Sequence, residues 1–110
     1  MNPRTHPHLT TGRARNKFGL ETAAAMALYR KASRDARLRV VGIQCHIGSQ
    51  ITTLAPYRLA AASVARTIRR LEAEGIRLSF ADLGGGIGIA YKDEKPFALA
   101  PMARVLEDAF

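Results

Sequence analysis

Two apolar runs in this chain each end in a polar, glycine-bearing loop: Val40-Val41-Gly42-Ile43-Gln44-Cys45-His46-Ile47-Gly48-Ser49-Gln50 and, about one helix later, Asp82-Leu83-Gly84-Gly85-Gly86-Ile87-Gly88. A buried strand that runs into such a loop is how parallel α/β proteins build small-molecule sites, at the carboxyl edge of the sheet. The first loop offers an imidazole and a hydroxyl. The second offers consecutive backbone N–H groups with no side chains in front of them. A phosphorylated small molecule suits this pair better than a macromolecule does.

The segments between and around the two runs read as helices. Leu20, Ala24, Ala27, Leu28 and Ala32 fall at helical spacing, which predicts a helix over about Leu20 to Ala36. Val40 to Cys45 has the β-branched, mostly apolar character of a strand buried on both faces. Thr52 or Thr53 can cap a second helix that carries Pro56 in its first turn and stops at Gly75. Within it Tyr57, Ala61, Val64, Ile68 and Leu71 share one face. The next strand lies within Ile76 to Leu83. A polar loop follows from Tyr91 to Pro96, then a third helix from about Ala100 to Phe110. This order predicts an α/β fold with consecutive parallel strands, and an unfinished sheet whose outer edges lack partners.

Composition narrows the classes. At 110 residues the chain is too short for a closed eight-stranded barrel, which takes roughly 200 or more. Its one cysteine, Cys45, excludes an internal disulfide, and no run approaches the ~20 apolar residues of a membrane helix. The start of the chain lacks the apolar stretch of a secretory signal, so a soluble, cytoplasmic protein is expected. The net charge of +8 raises the question of nucleic acid. Against it, Arg30, Arg37, Arg58, Arg69 and the other basic residues are scattered, and no aromatic side chains interleave with them as a stacking platform.

Several residues are candidates for chemistry. Gly84, Gly85 and Gly86 let the backbone approach an anion, a use that offsets the entropy cost of three adjacent glycines; a tight bend with positive φ is the alternative. Their G-G-G-x-G spacing is not that of a dinucleotide fingerprint. His46 is either a satisfied core residue or a functional one, and Ser49 either donates to a phosphate or caps a turn. Asp82 either orients His46 or caps its own loop. Cys45 reads as a packing residue. His6 and His8 have no acidic or thiol residue in their segment to complete a metal site, so no metal is expected.

Asn16-Lys17-Phe18-Gly19, Val41 to Ile51 and Asp82 to Gly88 together, in this order and spacing, resemble the diaminopimelate decarboxylase family, and the resemblance runs from the Thr5-His6-Pro7 loop to Phe110. The resemblance implies the alanine-racemase-like type: a (β/α)8 TIM-type barrel followed by a β-domain, pyridoxal 5'-phosphate as cofactor, and conversion of meso-diaminopimelate to lysine and carbon dioxide. It implies a small amino-acid substrate and, for full-length members, a homodimer. Carried over residue by residue, His46 lies against the cofactor ring while Ser49 and the backbone at Gly84, Gly85 and Gly86 hold the phosphate.

The family's Schiff-base lysine lies on an early barrel strand with no counterpart here. Lys31 sits in the predicted first helix and is not that lysine. Residues 1–110 are therefore expected to be a fragment of the cofactor-binding barrel domain, about two to three βα units with no second domain, inactive by itself. The rival readings are a non-catalytic module that binds pyridoxal phosphate or phosphate, and a basic nucleic-acid-binding protein. Ornithine, arginine and carboxynorspermidine decarboxylases share the barrel. Ser49-Gln50 and Lys17-Phe18-Gly19 favour the diaminopimelate branch.

Overall fold

The computed structural model describes residues 19–89 and 98–110. The His6 and His8 segment, Asn16-Lys17-Phe18 and the 91–96 loop lie outside them. Helix α1 (Thr22–Ser33) leads to strand β1 (Gly42–Gln44), helix α2 (Ala55–Ala73), strand β2 (Phe80–Asp82) and helix α3 (Leu99–Glu107). The expected α/β order with parallel strands is thus present, as two βα units preceded by a helix.

Helix α1 is shorter than the predicted span. Its alanine-rich interior favours helix, but just past Ser33 the Asp35 carboxylate accepts a hydrogen bond from its neighbour's backbone, Arg37 N–H, at 3.0 Å. That local turn competes with continuation of the helix. The start of α2 also differs from expectation. Leu54 stands at the N-cap with no side-chain cap, in place of Thr52 or Thr53, and Pro56 occupies the first turn as predicted. At its other end Gly75 adopts φ +81°, Ile76 N–H reaches Leu71 O at 2.9 Å and Gly75 N–H reaches Glu72 O at 2.9 Å. This is a Schellman closure, and it turns the chain back toward β2.

The two strands pair in parallel with Gly42 opposite Phe80, Ile43 opposite Ala81 and Gln44 opposite Asp82. Hydrogen bonds from Ser79 N–H to Val41 O and from Cys45 N–H to Asp82 O, each 2.8 Å, extend the ladder by one step at either end. The strand expected at Val40 to Cys45 is therefore real but briefer. It is also not buried on both faces: Gly42 and Ile43 are half-buried, Gln44 is exposed, and all of β2 is exposed. Among the described residues each strand has only the other as a hydrogen-bonded neighbour in this sheet.

The core lies between α2, α3 and the loops that leave the strands. Ile47, Ile51, Tyr57, Ala60 and Val105 form one buried cluster, and Ala61, Val64 and Leu83 form a second. Cys45 packs against both. The face predicted for α2 is the one buried, with Tyr57 and Leu71 fully inaccessible and Ile68 half-covered. Burial of this stripe drives α2 onto the sheet at roughly 25 cal/mol per Å² of apolar surface removed from water. Helix α1 is tied down separately. Tyr29 Oη–H donates to Gly42 O at 2.9 Å, and Arg30 makes a two-pronged ion pair with Glu74 at 2.6 and 2.7 Å. Among the described residues no helix is long and apolar enough to cross a membrane.

Candidate functional site

Parallel pairing puts the loop after β1 and the loop after β2 at the same edge of the sheet. They are held there by more than proximity. Ile51 N–H donates to Gly86 O at 2.8 Å and Gly88 N–H to Ile51 O at 2.9 Å, forming a parallel bridge between Ile51 and Ile87 beyond the ends of the strands. Gln50 adds a third link, its Oε1 accepting from Ile89 N–H at 3.1 Å. Gln50 does this from φ +54°, the left-handed region that a non-glycine residue seldom occupies.

The three glycines divide by role. A Cβ on Gly84 would stand 2.6 Å from Cys45 O and 3.1 Å from His46 Nδ1, and one on Gly86 would overlap Gly48 O. Both have positive φ, +71° and +91°. These two glycines let the loops meet backbone to backbone, which is the tight-bend alternative of the sequence reading. Gly85 is different. A Cβ there would meet nothing within 4 Å, and the residue is exposed. Among the described residues, the N–H groups of Gly85 and Gly86 have no protein acceptor.

The neighbouring side chains complete the picture. His46 is exposed and borders Gly84 through Nδ1. Ser49 is half-buried on the loop that Gly86 abuts, next to Gly48. Asp82 Oδ1 accepts from Gly84 N–H at 2.7 Å, so it caps its own loop, one of the two roles open to it. Burial, and secondarily the charge of Asp82, pushes the Cys45 thiol above its ordinary range, as befits a packing residue. Lys31 lies in the last turn of α1. That end of the helix is anchored to the start of β1 by Tyr29 and to the end of α2 by Arg30, opposite the loop edge. Among the described residues no group of three or more His, Cys, Asp or Glu gathers to hold a metal ion.

This exposed imidazole beside a glycine backbone with two available N–H groups suits a flat ring carrying a phosphate. The model for the pyridoxal-dependent decarboxylase, pyridoxal binding domain, matches residues 1–110. The chain belongs to this family. It is 42% identical over 107 residues to diaminopimelate decarboxylase of Neisseria meningitidis serogroup A, a match that covers 97% of this chain and 26% of that protein. It is similar to the crystal structure of diaminopimelate decarboxylase from Helicobacter pylori complexed with L-lysine, with TM-score 0.92 and 39% identity, covering 96% of this chain and 27% of that one. It is also similar to the crystal structure of SrLDC in complex with PLP and cadaverine, with TM-score 0.74 and 30% identity, covering 91% of this chain and 26% of that one. The chain thus spans about a quarter of the length of the relatives it matches. The expected α/β segment of the decarboxylase barrel and the pyridoxal phosphate cofactor are those of this family.

Two residues beside the site had no role assigned from sequence. Tyr57 reads as one member of the apolar face of α2, yet its hydroxyl donates to Gly85 O at 3.2 Å. A buried tyrosine needs a partner for its hydroxyl, and that requirement was the available signal. Gln50 lies within the motif, but a left-handed conformation at a non-glycine residue has no sequence signature.

Proposed function

We propose that residues 1–110 form part of the pyridoxal phosphate site of a decarboxylase that converts meso-diaminopimelate to lysine and carbon dioxide. The observation that carries this reading is the pair of N–H groups at Gly85 and Gly86 that have no acceptor among the described residues, with Gly85 exposed and in open space, next to His46 at Gly84. In this reading those N–H groups and the Ser49 hydroxyl hold the phosphate, and the His46 imidazole lies against the ring. Gly84 contributes differently: its N–H is given to Asp82, so it shapes the loop and does not bind the anion. Asp82 supports the seat by fixing that turn. When bound, pyridoxal phosphate supplies an electron sink for the carbanion left by loss of carbon dioxide. The chain's own residues bind and orient it. The diaminopimelate substrate rests on the likeness to the Neisseria and Helicobacter proteins.

The unit is read as a portion of the barrel domain, and the assembled protein as a cytoplasmic homodimer, which sedimentation of the full-length protein tests. The seat itself is tested by titrating the full 110-residue chain with pyridoxal phosphate and following the cofactor's absorbance. Saturable binding is expected, weakened at least tenfold by Gly85→Val, whose side chain would fill the open space. A flat titration contradicts the proposal. With meso-diaminopimelate added, the chain is expected to release no carbon dioxide above background, because the resemblance puts the Schiff-base lysine outside these residues.

A further inference from the structure

Tyr57 is fully buried in α2. Its ring packs in the cluster with Ile47, Ile51, Ala60 and Val105, directly beneath the two loops. From there its hydroxyl donates to the carbonyl oxygen of Gly85 at 3.2 Å. That carbonyl shares a planar peptide unit with the N–H of Gly86, and no peptide bond among the described residues is cis. In a trans peptide the C=O and N–H point in opposite directions. Drawing the Gly85 carbonyl down toward the core therefore turns the Gly86 N–H up and out, away from Tyr57.

No side chain of either residue fixes the direction of this peptide. Gly85 and Gly86 lack side chains, and glycine crosses regions of φ and ψ closed to other residues. A rotated Gly85–Gly86 peptide would present a carbonyl oxygen to an incoming anion, which repels it. From these relationships we infer that Tyr57 is a positioning residue for the phosphate seat: its buried hydroxyl holds the Gly85–Gly86 peptide with the N–H facing the ligand. The inference rests on the proposed phosphate seat and adds to it the group that sets its polarity. Tyr57 does not touch the ligand. Through the Gly85–Gly86 peptide its effect falls on the phosphate.

The test compares the full 110-residue chain with its Tyr57→Phe variant, which keeps the ring and its packing and removes only the donor. Each is titrated with pyridoxal 5'-phosphate, with pyridoxal, which lacks the phosphate, and with inorganic phosphate. Loss of one neutral hydrogen bond is expected to weaken pyridoxal phosphate and inorganic phosphate about fivefold while leaving pyridoxal unchanged. Equal affinity of variant and parent for pyridoxal phosphate overturns the inference and leaves the seat standing. An equal loss for pyridoxal and pyridoxal phosphate also overturns it, because Tyr57 would then serve only the fold. In the parent chain the Gly86 amide proton resonance is expected to shift on adding inorganic phosphate, a readout independent of how the variant folds. If pyridoxal phosphate binds while that resonance stays fixed, the inference fails. If the parent binds neither phosphate-bearing probe, the seat itself is contradicted.

Discussion

A side chain on Gly86 would overlap the carbonyl oxygen of Gly48, so the two loops of the site meet backbone against backbone. Neither partner can yield cheaply, because Gly86 also sits at φ +91° and its own carbonyl holds Ile51 N–H at 2.8 Å. Gly86→Ala is therefore expected to destabilise the fold by about 3 kcal/mol, the sum of backbone strain and a rigid contact. Gly85→Ala, with open space around it and no positive φ, is expected to leave the melting temperature close to that of the parent. Thermal denaturation of the two variants checks the contrast.

Gln50 links the loops by its side chain while its backbone stays in the left-handed region. Gln50→Gly relieves the backbone and deletes the bond to Ile89, two effects of opposite sign, so a small net change in stability is expected. Amide exchange at Ile89 should nevertheless accelerate severalfold. Gln50→Val, β-branched and without an acceptor, is expected to cost about 2 kcal/mol. Amide exchange and denaturation together separate the two contributions.

Burial raises the phenol pKa of both Tyr29 and Tyr57 above 10.0. A raised folded value means that the folded state keeps its proton longer than the unfolded one. The stability this brings is complete below pH 10 and is lost as pH rises through the folded values. Alkaline titration followed at the tyrosinate band should show late ionisation, and Tyr29→Phe should remove one such group. That variant also loses the 2.9 Å bond to Gly42 O, at a cost of about 1 kcal/mol.

The Cys45 thiol, raised by burial and then by Asp82, is mostly protonated at neutral pH. Alkylation at pH 7 is expected to be slower than for free cysteine under the same conditions. Reaction as fast as the free amino acid would place the thiol in a more open setting than the one between the two core clusters.

Much of this arrangement is legible in the chain itself. The periodicity of Tyr57, Ala61, Val64 and Leu71 gives the buried face of α2, and Gly75 gives its end, because both depend on local geometry. The paired loops at one sheet edge follow from strand order alone. What escapes is set by groups distant in sequence. The Gly48 carbonyl divides Gly86 from Gly85, and nothing within Gly84-Gly85-Gly86 distinguishes which glycine abuts a neighbour and which has open space around it. Asp82 had two plausible partners, and the choice of the Gly84 amide rests on the turn actually formed. The exposure of β2 likewise reflects which elements cover the sheet, not the apolar character of Phe80 and Ala81.

The central claim is that the loops after β1 and β2 form the seat for pyridoxal phosphate. Its most direct test is an amide chemical-shift map of the full 110-residue chain titrated with the cofactor. The predicted result is a set of shifts largest at His46, Ser49, Gly85 and Gly86 that saturate together, with a single dissociation constant. Shifts absent from these residues, or spread instead over exposed arginines such as Arg58 and Arg69, would contradict it.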